Sequence, residues 1–142
     1  MSLYLDTSAV IKLLAPETGS VEARAAYLAA SSFLCASVGY VEATSALARM
    51  RKGERITTGQ LREKQAELER IWRSVSVYAT NEALIDLAAQ VAQEDALRAY
   101  DAVHLAAAIS FAQGEPLEFA CWGRELREAA KKRGLTLVPR SL

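Results

Sequence analysis

Apolar residues recur along this chain with two alternating periods, and the switches between them predict its elements. Leu3-Tyr4-Leu5 is a short apolar strand, and Ser8 to Leu14 then carries a helical pattern that Ala15-Pro16 ends. Gly19-Ser20 precedes a second helix reaching about Ala30, and Ser32 to Ala36 reads as a second strand. Val41 to Met50 is helical until Gly53. From Thr58 to Arg73 a charged amphipathic helix sets Leu61, Leu68, Ile71 and Trp72 on one side, where packing on the core is expected before packing on a partner. Val75-Ser76-Val77-Tyr78 alternates as a third strand. Asn81 is placed to cap a helix through about Gln93 with Glu82 in its first turn, and Asp101 to Ala112 forms another, closed by Gly114 and Pro116. Leu117 to Trp122 predicts a fourth strand. A last helix runs from Glu125 to Lys132 and ends at Gly134, before a short strand from Leu135 to Val138.

Parallel strands need crossover connections, so this alternation implies an α/β fold with a mostly parallel sheet of four to five strands, covered by helices on both faces. The length, 142 residues, suits one domain spanning 1–142, and no repeat, low-complexity tract or linker divides it. Charged residues interrupt every Ala-rich segment long before the roughly 20 apolar positions of a membrane span. Asp6 and Lys12 break the only stretch that could be a signal peptide, so a cytoplasmic protein is expected. Cys35 and Cys121 lie in short apolar runs and read as buried strand residues. Lys plus Arg (17) cancel Asp plus Glu (17), so any site for a polyanion must be local.

Three acidic residues stand where such a sheet places its chemistry. Asp6 follows the first strand, at the carboxyl edge where open parallel sheets bind ligands. It either caps the following helix or ligates. Asp101 opens the apolar run Ala102-Val103-His104-Leu105, and alone it reads as a helix cap. Glu42 lies in a small, apolar helical surface, and alone it reads as a solvated charge. A pocket of all three would repel itself unless a hard divalent cation such as Mg²⁺ or Mn²⁺ relieved the charge. His104 is the only histidine, which argues against zinc and leaves it a packing or supporting role.

These residues resemble the PIN domains, and within them the VapC-type ribonuclease toxins of toxin–antitoxin systems. Three blocks carry the resemblance: Leu5-Asp6-Thr7-Ser8-Ala9, Glu42 within Ser37-Val38-Gly39-Tyr40-Val41-Glu42, and Leu97-Arg98-Ala99-Tyr100-Asp101-Ala102-Val103-His104-Leu105-Ala106. The resemblance implies a PIN-like three-layer α/β/α domain. It further implies an endoribonuclease with Asp6, Glu42 and Asp101 as catalytic, metal-binding acids for Mg²⁺ or Mn²⁺, and with Thr7 or Ser8 supporting Asp6. An antitoxin protein, an RNA substrate and a homodimer are the implied partners. The family pattern has a fourth acid after strand four, where this chain has Gly123, and Cys121 stands where the family often has a small hydroxyl residue. That departure leaves open an impaired member, natural or introduced, that binds antitoxin or RNA without cleaving. Glu125, two residues on, is either the pocket's substitute acid or a helix-start charge. Two basic runs could meet RNA: Arg49, Arg51, Lys52 and Arg55, and Arg124, Arg127, Lys131, Lys132 and Arg133.

Overall fold

The computed structural model describes residues 1–142. Its elements are β1 (Ser2–Leu5), α1 (Thr7–Leu14), α2 (Ser20–Ala29), β2 (Ser32–Ala36), α3 (Val38–Lys52), α4 (Thr58–Arg73) and β3 (Val75–Tyr78). They continue with α5 (Glu82–Asp95), α6 (Ala99–Phe111), β4 (Leu117–Ala120), α7 (Arg124–Lys132) and β5 (Thr136–Val138). All five strands are parallel, in the order β3-β2-β1-β4-β5.

Side chains alternate across a strand, and β1 shows what that does to the core. Leu3 and Leu5 face one side, where they pack with Val10, Leu14, Ala43, Leu47 and Leu68 from α1, α3 and α4. Tyr4 faces the other, among residues of α5, α6 and α7 such as Leu84, Val91, Leu105 and Leu126. The result is three layers with the sheet between two apolar cores. The chain moves outward from β1 to β2 and β3, then returns to place β4 on the opposite flank of β1. That reversal opens a crevice at the carboxyl ends of β1 and β4, bridged by Asp6 N–H donating to Ala120 O at 3.1 Å.

Among the boundaries that differ from the expectation, four have a cause in the structure. α3 begins at Val38 rather than Val41 because Gly39 does not break it. A side chain at Gly39 would run into the Cys35 sulfur, so the glycine lets the helix start lie directly against β2. α6 begins at Ala99, and its cap is Arg98 in an extended backbone conformation, so Asp101 is not a cap but a first-turn residue. β4 ends at Ala120 because the Trp122 amide turns away to the Ser8 hydroxyl at 3.2 Å. Cys121 therefore lies just past the strand, though it is fully buried, as is Cys35 within β2. β5 begins at Thr136 rather than Leu135, whose amide instead closes the turn after α7 by donating to Ala130 O at 3.0 Å. Leu68 and Ile71 of α4 are buried in the first core, while the Trp72 ring lies 5.4 Å from that of Tyr40, tilted by 52°.

Candidate active site

Asp6, Glu42 and Asp101 reach one pocket of about 350 Å³ from three separate elements, together with Thr7, Ser8, Arg98, Gly123, Arg124 and Glu125. A larger, mostly apolar groove between α1, α2 and α4 has Glu67 as its one carboxylate among Lys12, Arg24 and Lys64. Chemistry points to the acidic pocket.

Asp6 is both helix cap and pocket wall. Its backbone is extended, and its Oδ2 accepts from the Ser8 amide at 3.3 Å and the Ser8 hydroxyl at 2.7 Å. Those bonds hold Oδ2 and leave Oδ1 without a hydrogen bond, 3.8 Å from His104 Nε2. Glu42, in the second turn of α3, is fastened in the same one-sided way. Its Oε1 accepts from the Thr7 hydroxyl at 2.9 Å and lies 2.6 Å from His104 Nε2, and neither bond uses Oε2. Thr7 thus serves Glu42, and Ser8 alone serves Asp6. Asp101 sits in the first turn of α6, where the helix dipole favours a negative charge.

The electrostatics follow. Burial pushes the Glu42 carboxyl up, but hydrogen bonds from His104 and Thr7 outweigh it and hold its pKa below the usual range. Asp101 moves the other way, raised by burial and then by the charge on Asp6, with Arg98 among the groups acting against the shift. Complete burial disfavours a charged His104 ring, but charge on Tyr4, the Cys35 thiol, the Glu42 carboxylate and Asp6 outweigh it and raise its pKa. Tyr4 supplies no such charge near neutral pH, since its own burial pushes the phenol far up. Burial likewise raises the Cys121 thiol, which donates weakly to Gly123 O at 3.7 Å and is no nucleophile.

Gly123 is the N-cap of α7, with φ −70° and ψ 124°, and no side chain caps that helix. A Cβ added there meets nothing within 4 Å. The pocket therefore has an open place for a fourth acid and no acid in it. Glu125 lines the same pocket from the first turn of α7.

The basic runs divide. Arg127 is buried and donates to Cys121 O and Pro139 O, both at 2.7 Å, which ties β4's end to the C-terminal segment. Arg133 pairs with Glu94 and Asp95, and Lys132 with Asp95. These three are structural. Arg124 and Arg98 instead rim the acidic pocket, and Arg49 lines a neighbouring depression with Glu42 and Tyr100. Arg98 was not singled out by the sequence, because one arginine before a helix carries no periodic or clustered signal. Its signal was position alone, three residues before Asp101.

A PIN domain family model matches residues 3–113. The chain belongs to the PIN domain family. Over 144 aligned residues it is 36% identical to Ribonuclease VapC45 of Mycobacterium tuberculosis (strain CDC 1551 / Oshkosh), covering 99% of this chain and 96% of the relative. Identity and coverage are the same for Ribonuclease VapC49 of Mycobacterium tuberculosis (strain ATCC 25618 / H37Rv). Two solved structures share the PIN fold. FitAcB from Neisseria gonorrhoeae superposes with a TM-score of 0.72 at 16% identity, over 99% of this chain and 98% of that one. PAE2754 from Pyrobaculum aerophilum gives 0.68 at 22% identity, over 96% and 88%.

PIN-domain ribonucleases are in general metal-dependent, and the donor set here can be tested for a hard divalent cation. Asp6 Oδ1, Glu42 Oε2 and both Asp101 oxygens make no hydrogen bond within the protein, and burial and then the Asp6 charge raise the Asp101 pKa. No three acidic, histidine or cysteine side chains are drawn into one ligating cage. An ion that keeps several waters and takes one or two carboxylates needs no such cage, so the donors fit. No helix is long and apolar enough to cross a membrane.

Proposed function

We propose that this PIN domain is the toxin of a type II toxin–antitoxin system, an endoribonuclease that hydrolyses RNA phosphodiesters in the acidic pocket. The observation that carries the reading is the meeting of Asp6, Glu42 and Asp101, far apart in sequence, at the carboxyl ends of β1 and β4. Asp6 and Asp101 would hold Mg²⁺ or Mn²⁺, with Glu42 ligating or orienting water beside them. Such an ion supplies a Lewis acid for phosphate oxygens and lowers the pKa of a water. Ser8 orients Asp6 through two hydrogen bonds, and Thr7 holds Glu42 through one. Arg98 and Arg124, at the rim, are placed to neutralise the phosphates flanking the scissile bond.

Covalent catalysis has no support in the side chains. The Ser8 hydroxyl donates to Asp6 and accepts the Trp122 amide, and no histidine stands beside it as a base. The cognate partner is a small antitoxin with a segment that occupies this pocket, and the working form is a homodimer in the cytoplasm. FitAB bound to an IR36 DNA fragment is alike in fold, with a TM-score of 0.71 at 14% identity.

One observation favours a second reading. Gly123 leaves the pocket one carboxylate short of the family pattern, as an antitoxin- or RNA-binding module without cleavage would be. Cleavage of a mixed tRNA and rRNA substrate with Mg²⁺ or Mn²⁺ separates the two, using the chain as it stands, Asp6→Ala and Gly123→Asp. Metal-dependent cleavage by the native chain that Asp6→Ala abolishes is the expected result. Cleavage only after Gly123→Asp moves the chain to the second reading, and cleavage indifferent to Asp6→Ala removes the pocket from the chemistry.

A further inference from the structure

Beneath the acidic pocket a buried chain of hydrogen bonds runs from the sheet to Glu42, and the hydrolysis described above makes no use of it. The Ala36 amide donates to the Tyr4 hydroxyl at 3.0 Å, that hydroxyl lies 2.8 Å from His104 Nδ1, and His104 Nε2 lies 2.6 Å from Glu42 Oε1. Tyr4 and His104 have no solvent exposure. Water therefore cannot complete or rearrange the chain.

The proton positions follow by elimination. A phenol has one proton to give, and the Ala36 amide can only donate to it, so the Tyr4 proton goes to Nδ1. A ring protonated on both nitrogens would leave the buried Tyr4 proton without an acceptor, so Nδ1 is bare and the single ring proton sits on Nε2, directed at Glu42 Oε1. The opposite tautomer would set a bare nitrogen against a carboxylate oxygen at 2.6 Å with no proton between them. Thr7 donates to the same Oε1, so two donors fix one oxygen and the other is left to the pocket.

We propose that Tyr4 and His104 form a positioning relay for Glu42: Tyr4 selects the ring tautomer, and His104 presents Nε2–H to Oε1 so that Oε2 remains the working oxygen. The relay rests on the reading of Glu42 as one of the reactive acids. A histidine that merely filled the core would need neither a tyrosine to set its tautomer nor a carboxylate at its outer nitrogen. Outer partners of this kind orient ligands elsewhere, and their loss typically weakens metal binding roughly 10- to 100-fold.

His104 is the only histidine, so imidazole ¹⁵N NMR reads it without assignment. Metal-free native protein is expected to show a bare, hydrogen-bonded Nδ1 and a protonated Nε2, and Tyr4→Phe is expected to disturb that state. A proton on Nδ1 in the native protein, or an identical spectrum in Tyr4→Phe, overturns the relay. The second measurement is Mn²⁺ affinity from the electron paramagnetic resonance signal of the free ion. His104→Leu should weaken binding roughly 10- to 100-fold, and His104→Gln, which keeps an N–H for Oε1, should recover most of it. Combined with Glu42→Gln, His104→Leu should add nothing, because it acts through that carboxylate. Independent losses overturn the proposal. If His104→Leu does not fold, by circular dichroism, Tyr4→Phe carries the same cycle with the same expected sign. Native protein that binds no Mn²⁺, or binds it equally well after Asp6→Asn, overturns the acid site and the relay with it. Sensitivity to Asp6→Asn with indifference to His104 overturns the relay alone.

Discussion

Position 123 decides how much charge the pocket holds, and its surroundings make the effect of filling it predictable. The backbone there is extended at an uncapped helix start, and a Cβ meets nothing, so Gly123→Asp introduces no strain. As an N-cap, Asp improves on Gly by only a few tenths of a kcal/mol. Against that gain stand Asp6, Asp101 and Glu125 around the same pocket. Repulsion should cancel the cap in EDTA, and a divalent ion should reverse the balance. Thermal melts are expected to show Gly123→Asp level with or below the native chain in EDTA and above it in millimolar Mg²⁺. A variant no more responsive to Mg²⁺ than the native chain would show that position 123 does not face the site.

Asp101 gives a second test at this scale. Burial first, and then the Asp6 charge, raise its pKa, so the fold disfavours its ionised form. A carboxyl whose pKa is higher in the folded than in the unfolded chain contributes stability below the unfolded value and loses it as pH rises through the folded one. In EDTA, Asp101→Asn should therefore melt higher than the native protein at pH 7, by less than about 2 °C because the group is half exposed. The difference should vanish as pH falls below the carboxylate range. A native protein that melts higher at neutral pH would contradict the assigned crowding.

Among the elements, α3 shows what the sequence conveyed and what it withheld. Strands β2 and β3 and helix α4 have the boundaries that periodicity assigns, because each is bounded by unambiguous turn or cap residues. Thr57 and Gln60 even form the reciprocal cap of α4. The first three residues of α3 were not legible, because Gly39 ordinarily argues against a helix interior, and only contact with Cys35, Trp72 and His104 explains it. The three acids were legible as types and positions, whereas Arg98 at the rim, Tyr4 beneath it and Arg127 in the core were not. Their roles come from partners distant in sequence. Gly39→Ala sets a helix-propensity gain of about 1 kcal/mol against overpacking of roughly 1–3 kcal/mol. A net loss of stability in denaturant titration is expected, and adding Cys35→Ala should restore most of it. If the double variant is no more stable than Gly39→Ala, the cysteine is not the obstacle.

The ends of α5 and α7 are joined by charge. Asp95 is 5% exposed at its side chain and accepts from Arg133 Nε at 2.8 Å and Lys132 Nζ at 3.1 Å, and Arg133 also reaches Glu94. Arg133 holds the Asp95 carboxyl below its usual range, so this contribution is present above the unfolded pKa and lost as pH falls. Asp95→Asn should lower the melting temperature by no more than a few degrees at pH 7, with the loss shrinking as the medium is acidified. A loss that persists unchanged in acid would assign the effect to packing.

At the scale of the whole molecule, a chain with no net charge must attract RNA through few groups, and the fold says which. Of the basic residues of α7 and its end, Arg127 is consumed in the core, and Lys132 and Arg133 lie at the opposite, amino edge of the sheet, paired with Glu94 and Asp95. Arg98, Arg124 and Arg49 remain around the acidic pocket and its neighbouring depression. Each phosphate neutralised on a single strand contributes about −0.7 to the slope of log affinity against log salt, so three contacts give about −2. That is shallow for a nucleic-acid-binding protein, and it distinguishes this arrangement from a broad basic face. Filter binding of a single-stranded RNA in EDTA, which keeps the strand intact, should return such a slope. Arg98→Glu with Arg124→Glu should weaken binding and flatten the slope by more than 1. A steep native slope, or one unmoved by both reversals, would place the RNA elsewhere, with the helix-end lysines and arginines of α3 the next surface to reverse.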